Sequence, residues 1–228
     1  MKGDAVSSSR NLHTFGVYFL MNPCMLEQSP LLVNIILSLP FWITLVLQLL
    51  TRTLSLTEVM SSTGDKVILS EKIFKENPNY PRTALIDMLS DLLEAELVLI
   101  PWDRYEEYGH SDGMVRYIGE GRVLLNNYFD FDKYLRKRLI NALTPNFDVS
   151  ELHYGTFTKN SWAYINFLHV GKHVFVPMLS EKVDDFAFCQ IADAFSHSQC
   201  HPIGSCEFVV AHGGVLNCTT WNVYNSTN

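Results

Sequence analysis

The chain has 228 residues and a mass of 26.0 kDa, with 47% apolar and 12% aromatic residues, which is enough core-forming material for one or two folded domains and excludes a disordered tail. A net charge of −7 and a pI near 5.6 exclude a nucleic-acid partner, since no stretch supplies the basic face that phosphates require. The densest basic run, Lys133 to Arg138, reads as a solvated helix face.

The first 62 residues differ in character from the rest. No charged residue occurs from Ser29 to Thr51, and Leu31 to Leu50 is long enough to span a bilayer, although Pro40 and the polar Asn34, Ser38, Thr44 and Gln48 interrupt it. A secretory signal fits less well, because the run starts late and no small-residue cleavage site follows it.

After about Ser62 the composition becomes that of an α/β protein anchored on three short apolar strands: Val67 to Leu69, Val123 to Leu125 and Val174 to Val176. Each has a glycine just upstream (Gly64, Gly121, Gly171), and two follow a further strand-like run, Met114 to Ile118 and Ala163 to Val170, so two units begin with a hairpin. Amphipathic spacing then predicts helices over Arg82 to Leu97, Phe131 to Leu143 and Val183 to Phe195. Val98 to Ile100 and Phe208 to Val210 read as closing strands. The unit is strand, strand, helix, strand, repeated at roughly 50 residues, a period that fits a propeller-like array.

Chemistry-bearing residues are few. Gly109-His110-Ser111-Asp112-Gly113 sets a His and an Asp two apart before a strand, where extended backbone would point both to one face. Gly213-Gly214-Val215-Leu216-Asn217-Cys218 ends a glycine loop on a cysteine, and a distant Cys and His can form a nucleophile and base pair. The ordinary reading of each is blander, a turn for the first and an inert buried thiol for the second. The five cysteines, Cys24, Cys189, Cys200, Cys206 and Cys218, are odd in number and have no CxxC pairing, so a reducing compartment, the cytoplasm, is expected. His197, Cys200, His201, Cys206 and His212 cluster loosely but match no structural zinc spacing, and no metal is expected. Asn217 and Asn225 open two Asn-x-Thr sequons that would matter only in a secreted protein.

Gly109-His110-x-Asp112-Gly113 followed by Met114 to Tyr117, the Ala163 to Phe167 run taken as a strand, Val67 to Leu69 leading to Glu76-Asn77-Pro78, and the terminal Gly-Gly-x-x-x-Cys resemble the agmatine deiminase and Porphyromonas-type peptidyl-arginine deiminase family. The resemblance covers residues 63 to 222, the second part of a typical member. It implies the pentein fold, a five-bladed α/β propeller, of which about three blades are present in residues 63–228. It also implies a hydrolase that turns a guanidinium into a ureido group and releases ammonia, with no cofactor. By motif, Cys218 is the nucleophile, His110 the general acid and then base, Asp112 a clamp on guanidinium N–H groups, and Asn166 a weaker substrate contact. A nearby imidazolium and a cationic substrate would favour the Cys218 thiolate at neutral pH.

The expected substrate is a small guanidine, agmatine, giving N-carbamoylputrescine; an arginine side chain of a peptide is the alternative, and amidino transfer uses the same intermediate. Self-association into a homo-oligomer is left open. Two family features are not visible: an upstream Trp-x-Arg-Asp segment and an acidic residue before Gly-Gly. Leu56 to Ser62 stands in the second place and fits no strand of the repeat well, yet codons for Thr-Glu-Val-Met-Ser read in a shifted frame can spell Asp-Gly-Gly-Asn-Val. Residues 1–62 are therefore expected to be out of frame, with a genuine membrane anchor or a variant N-terminal domain as the alternative. A competing class is an inactive fragment or membrane-tethered binding module.

Overall fold

The computed structural model describes residues 13–19, 61–62, 65–105 and 109–225. The apolar run of residues 31–50, Cys24 and Gly64 lie outside them. Among the described residues, no helix is long and apolar enough to cross a membrane.

Three consecutive units share one topology. In the first, β2 (Ser61–Ser62) pairs antiparallel with β3 (Lys66–Ser70), the chain crosses over through α1 (Lys72–Glu76) and α2 (Arg82–Leu93), and β4 (Glu96–Ile100) returns parallel to β3. The second runs β5 (Val115–Gly119), β6 (Arg122–Leu125), α3 (Tyr128–Phe131), α4 (Lys133–Leu143) and β7 (Asp148–Glu151). The third runs α5 (Ser161–Ile165), β8 (Leu168–Val170), β9 (His173–Pro177), α6 (Asp184–Ala194) and β10 (Gln199–Ile203), followed by α7 (Glu207–Ala211). In every unit the middle strand pairs antiparallel on one side and parallel on the other, giving three three-stranded sheets. The architecture is a mixed α/β fold. A fourth, two-stranded ribbon pairs β1 (His13–Phe19) with β11 (Thr220–Asn225).

The middle strands are apolar runs without alternation because both of their faces are buried. Val67 and Leu69 enter a core with Ile73, Leu85 and Leu89 of their own unit. Ile68, between them, points the other way and joins Val123, Leu125, Leu135, Leu139 and Leu143 of the second unit. The pattern repeats one unit on, where Leu124 packs with Val174, Val176, Ala187 and Ile191 of the third. The main helices of the second and third units thus cover their own sheets and the sheets before them, which stacks the units.

Four expectations need correction. The helix predicted to Leu97 ends at Leu93, where Glu94 takes a left-handed φ of 50° and turns the chain so that Leu97 lies in β4. Ala163 to Ile165 are helical and the strand starts only at Leu168; a run buried on every side carries the same apolar pattern in either conformation. Phe208 to Val210 belong to α7, and β10 closes the third unit instead. The first unit also begins with a hairpin, because Ser61 and Ser62 pair with Ile68 and Val67.

Candidate active site

Residues 109–113 are tied down from the first and the second unit. From the first unit, Ser70 Oγ donates to the Gly109 carbonyl at 3.0 Å, and Ser111 Oγ donates to the Ile68 carbonyl at 3.0 Å. From the second, Asn126 Nδ2 donates to the Gly113 carbonyl at 3.2 Å and to Ser161 Oγ, on α5 of the third unit, at 3.3 Å. Gly109 has a φ of 62° and lies against the Trp102 indole, so a side chain there would be strained and would collide.

Ser111–Gly113 form a 3-10 turn, not the extended segment expected, so the alternation argument does not describe how His110 and Asp112 are oriented. The tight turn sends Asp112 inward, where it is 3% exposed, and leaves His110 half-buried before it.

Cys218 arrives from the far end of the chain on a tight turn in which Thr219 N–H donates to the Val215 carbonyl at 3.0 Å. The turn is compact because Gly214 has no side chain: a Cβ there would sit 2.9 Å from Thr219 Cγ2. Val215 N–H donates to Cys218 Sγ at 3.1 Å.

Asn166 joins the two. Its Nδ2 donates to Asp112 Oδ2 at 2.6 Å, while its Oδ1 accepts from the Cys218 backbone N–H and from Sγ, both at 3.3 Å. Asn217 Nδ2 donates to the same carboxylate oxygen at 3.2 Å. The helix-to-strand break after α5 produces this arrangement, because Asn166 caps the helix and is free of the sheet ladder that a strand would impose. Asn166 therefore links Asp112 to Cys218.

The electrostatics follow from burial. Desolvation raises the Asp112 pKa, opposed by the Asn166 hydrogen bond, the His110 and Arg116 charges and Asn217. Burial lowers the His110 pKa; Asp112 and Glu76 oppose this and Lys72 adds to it. Burial, and next the Asp112 charge, push the Cys218 thiol up to about 11, against the Val215 N–H and Arg116. The chain's own groups, with no cationic substrate beside them, thus favour a neutral imidazole and a protonated thiol. A guanidinium cation beside Asp112 would reverse the largest charge effect on the sulfur.

Of the residues singled out in the sequence, the structure brings Asp112, Asn166 and Cys218 together by hydrogen bonds, with His110 two residues before Asp112. Asn217 and Arg116 were missed as site residues. Asn217 had drawn notice only as a sequon, and Arg116 only as part of a motif. Among the described residues, no group of three or more His, Cys, Asp or Glu side chains is arranged to hold a metal ion. His173 and His201 do meet, ring nitrogens 3.0 Å apart, but as an exposed pair. The described cysteines Cys189, Cys200, Cys206 and Cys218 are free thiols.

Against this geometry, the match of residues 61–223 to the family of Porphyromonas-type peptidyl-arginine deiminases is decisive. The chain belongs to that family. Solved structures similar to the chain include the agmatine deiminase of Enterococcus faecalis, at 19% identity and a TM-score of 0.59, covering 69% of this chain and 53% of that one. The C. jejuni agmatine deiminase is similar at 15% identity and a TM-score of 0.60, over 74% of this chain and 55% of that one. At these identities the likeness is one of fold. The chain spans about half the length of the structures it matches. No curated protein matches it.

Proposed function

We propose that the family member represented by this chain hydrolyses a guanidinium to a ureido group through a covalent bond to Cys218, with agmatine as substrate and N-carbamoylputrescine and ammonia as products. The observation that carries the reading is the Asn166 bridge, which couples a buried carboxylate to a cysteine from a distant part of the chain. A planar guanidinium matches a carboxylate in a fixed plane, and Asp112 clamps it with its carbon toward the sulfur.

Neutral His110 takes the Cys218 proton as sulfur attacks the guanidinium carbon, and returns it to the departing amino group, which leaves as ammonia. A water then gives its proton to His110 and its oxygen to the same carbon. The C–S bond breaks, the ureido product forms, the sulfur is reprotonated, and the surplus proton leaves with ammonia as ammonium. The three units form part of a five-unit pentein propeller, with residues 63–228 as the C-terminal part of its catalytic domain. Residues 1–62 are read as out-of-frame sequence, although Ser61–Ser62 pair with β3 and His13–Phe19 pair with β11.

The family's description favours a second reading, an arginine side chain in a peptide as substrate. Ammonia release from agmatine and from an arginine-containing peptide decides between them, assayed with a version extended upstream in the restored frame. Cys218→Ala is expected to abolish release with either substrate, and undiminished turnover by that variant overturns the assignment.

A further inference from the structure

We infer that Arg116 is a positioning residue for the Asp112 and Cys218 pair: its guanidinium, held on the Phe167 ring, supplies the positive charge that lets a carboxylate and a sulfur anion share one buried place. The inference rests on the reading of Cys218 as the nucleophile.

Three observations lead to it. Arg116 lies on β5 between Val115, buried in the second core, and Tyr117, which packs against that core; it pairs across the strands with Leu124, which is buried in the third. Its side chain therefore projects across the boundary between units toward the site. There its Cζ is 5.4 Å from the centroid of the Phe167 ring. That ring is a fixed platform, fully buried and held edge-on by Phe195 at 5.3 Å. Phe167 follows directly on Asn166, so the platform and the bridge between Asp112 and Cys218 are consecutive residues of one rigid segment.

The charges facing this place come from several elements. The 109–113 turn contributes Asp112 and His110, β5 contributes Arg116, and β8 contributes His169, which faces Arg116. From α1, Lys72 and Glu76 face His110, while Asn166 and Asn217 are neutral. Arg116 acts on Asp112 and on Cys218 alike, and both act back on it, which is the pattern of a shared counter-charge. A guanidinium cannot shed its proton in a protein, so the charge stays in place when the thiol ionises. No hydrogen bond or salt bridge fixes the Arg116 head to a carboxylate among the described residues; the aromatic ring sets its position.

Thiolate alkylation reads this effect without using turnover. The 228-residue chain and its Arg116→Gln and Arg116→Lys variants are treated with iodoacetamide at pH 8, and alkylation is followed on the Cys218 peptide. Exposed Cys189 is the internal reference and buried Cys206 the reporter of unfolding. Arg116→Gln is expected to slow Cys218 about tenfold relative to Cys189, and Arg116→Lys, which keeps the charge, to stay within about twofold. Arg116→Gln at the wild-type rate, or Arg116→Lys as slow as Arg116→Gln, overturns the inference. Where Cys206 becomes as reactive as Cys189 in Arg116→Gln, the lysine variant decides: an unchanged rate supports the role of charge, and a tenfold loss contradicts it. Because ammonia is not measured, failure of the deiminase reading and failure of this inference remain distinguishable.

Discussion

Asp112 is the residue on which the site converges, since Asn166, Asn217, His110 and Arg116 all act on its carboxylate. Burial alone would favour its neutral form, and these partners are what a clamp for a cation needs. Asp112→Asn should therefore cost both binding and rate, whereas His110→Ala should cost orders of magnitude in rate with a smaller change in KM. Steady-state kinetics separate the two outcomes; wild-type behaviour of Asp112→Asn would place the clamp elsewhere. The raised Cys218 thiol gives a pH prediction. Its folded value of about 11 lies above the ordinary 9.0, so the folded chain keeps the proton that the unfolded chain has lost. This contribution to stability is present below pH 9.0 and disappears as pH rises toward 11. Denaturant unfolding across that range should show a loss in wild type that is smaller in Cys218→Ala. Cys218, His110 and Asp112 could be singled out because their motifs are local. The Asn217 hydrogen bond to Asp112 and the seat of Arg116 on Phe167 could not, because they exist only once distant parts of the chain are packed.

At the scale of the elements, what sequence conveyed well was the trio of middle strands, and the reason is their burial on two faces. Val67, Ile68 and Leu69 feed alternate cores, so each position must be apolar whichever way it points. The helix of residues 161–165 was misread for the same physical reason, since Ala163, Tyr164 and Ile165 are all fully buried and alternation is absent. α7 was misread because Phe208, Val209 and Val210 are β-prone residues, although Phe208 is 71% exposed on a short helix. The second unit offers a clean test of element energetics. Asp132 caps α4 by accepting from Tyr134 and Leu135 N–H at 3.1 and 2.8 Å. Asp132→Ala should lose about 1 kcal/mol. Leu139, fully buried between two units, should lose about 2–5 kcal/mol as alanine, because the cavity it leaves cannot collapse. Equal losses for the two variants, measured by urea unfolding, would contradict the interleaved packing.

The three three-stranded sheets each end in strands that have no further partner among the described residues. Strands such as β4, β7 and β10 close their own units at three strands each, and the chain spans about half the length of the structures it matches. Exposed strand edges invite pairing with other chains. The 228-residue chain expressed alone is thus expected to self-associate and to lack deiminase activity, whereas a version extended upstream in the restored frame is monodisperse and active; sedimentation velocity and ammonia release test both. An active, monomeric 228-residue chain would show that residues 1–62 have a role of their own. The central claim, that Cys218 bonds covalently to the guanidinium carbon, is tested most directly by acid-quenching the extended protein during turnover of agmatine and weighing its peptides. The account predicts that the Cys218 peptide gains the mass of agmatine less ammonia. Ammonia release with an unmodified Cys218 peptide, or with the adduct on another residue, would contradict it.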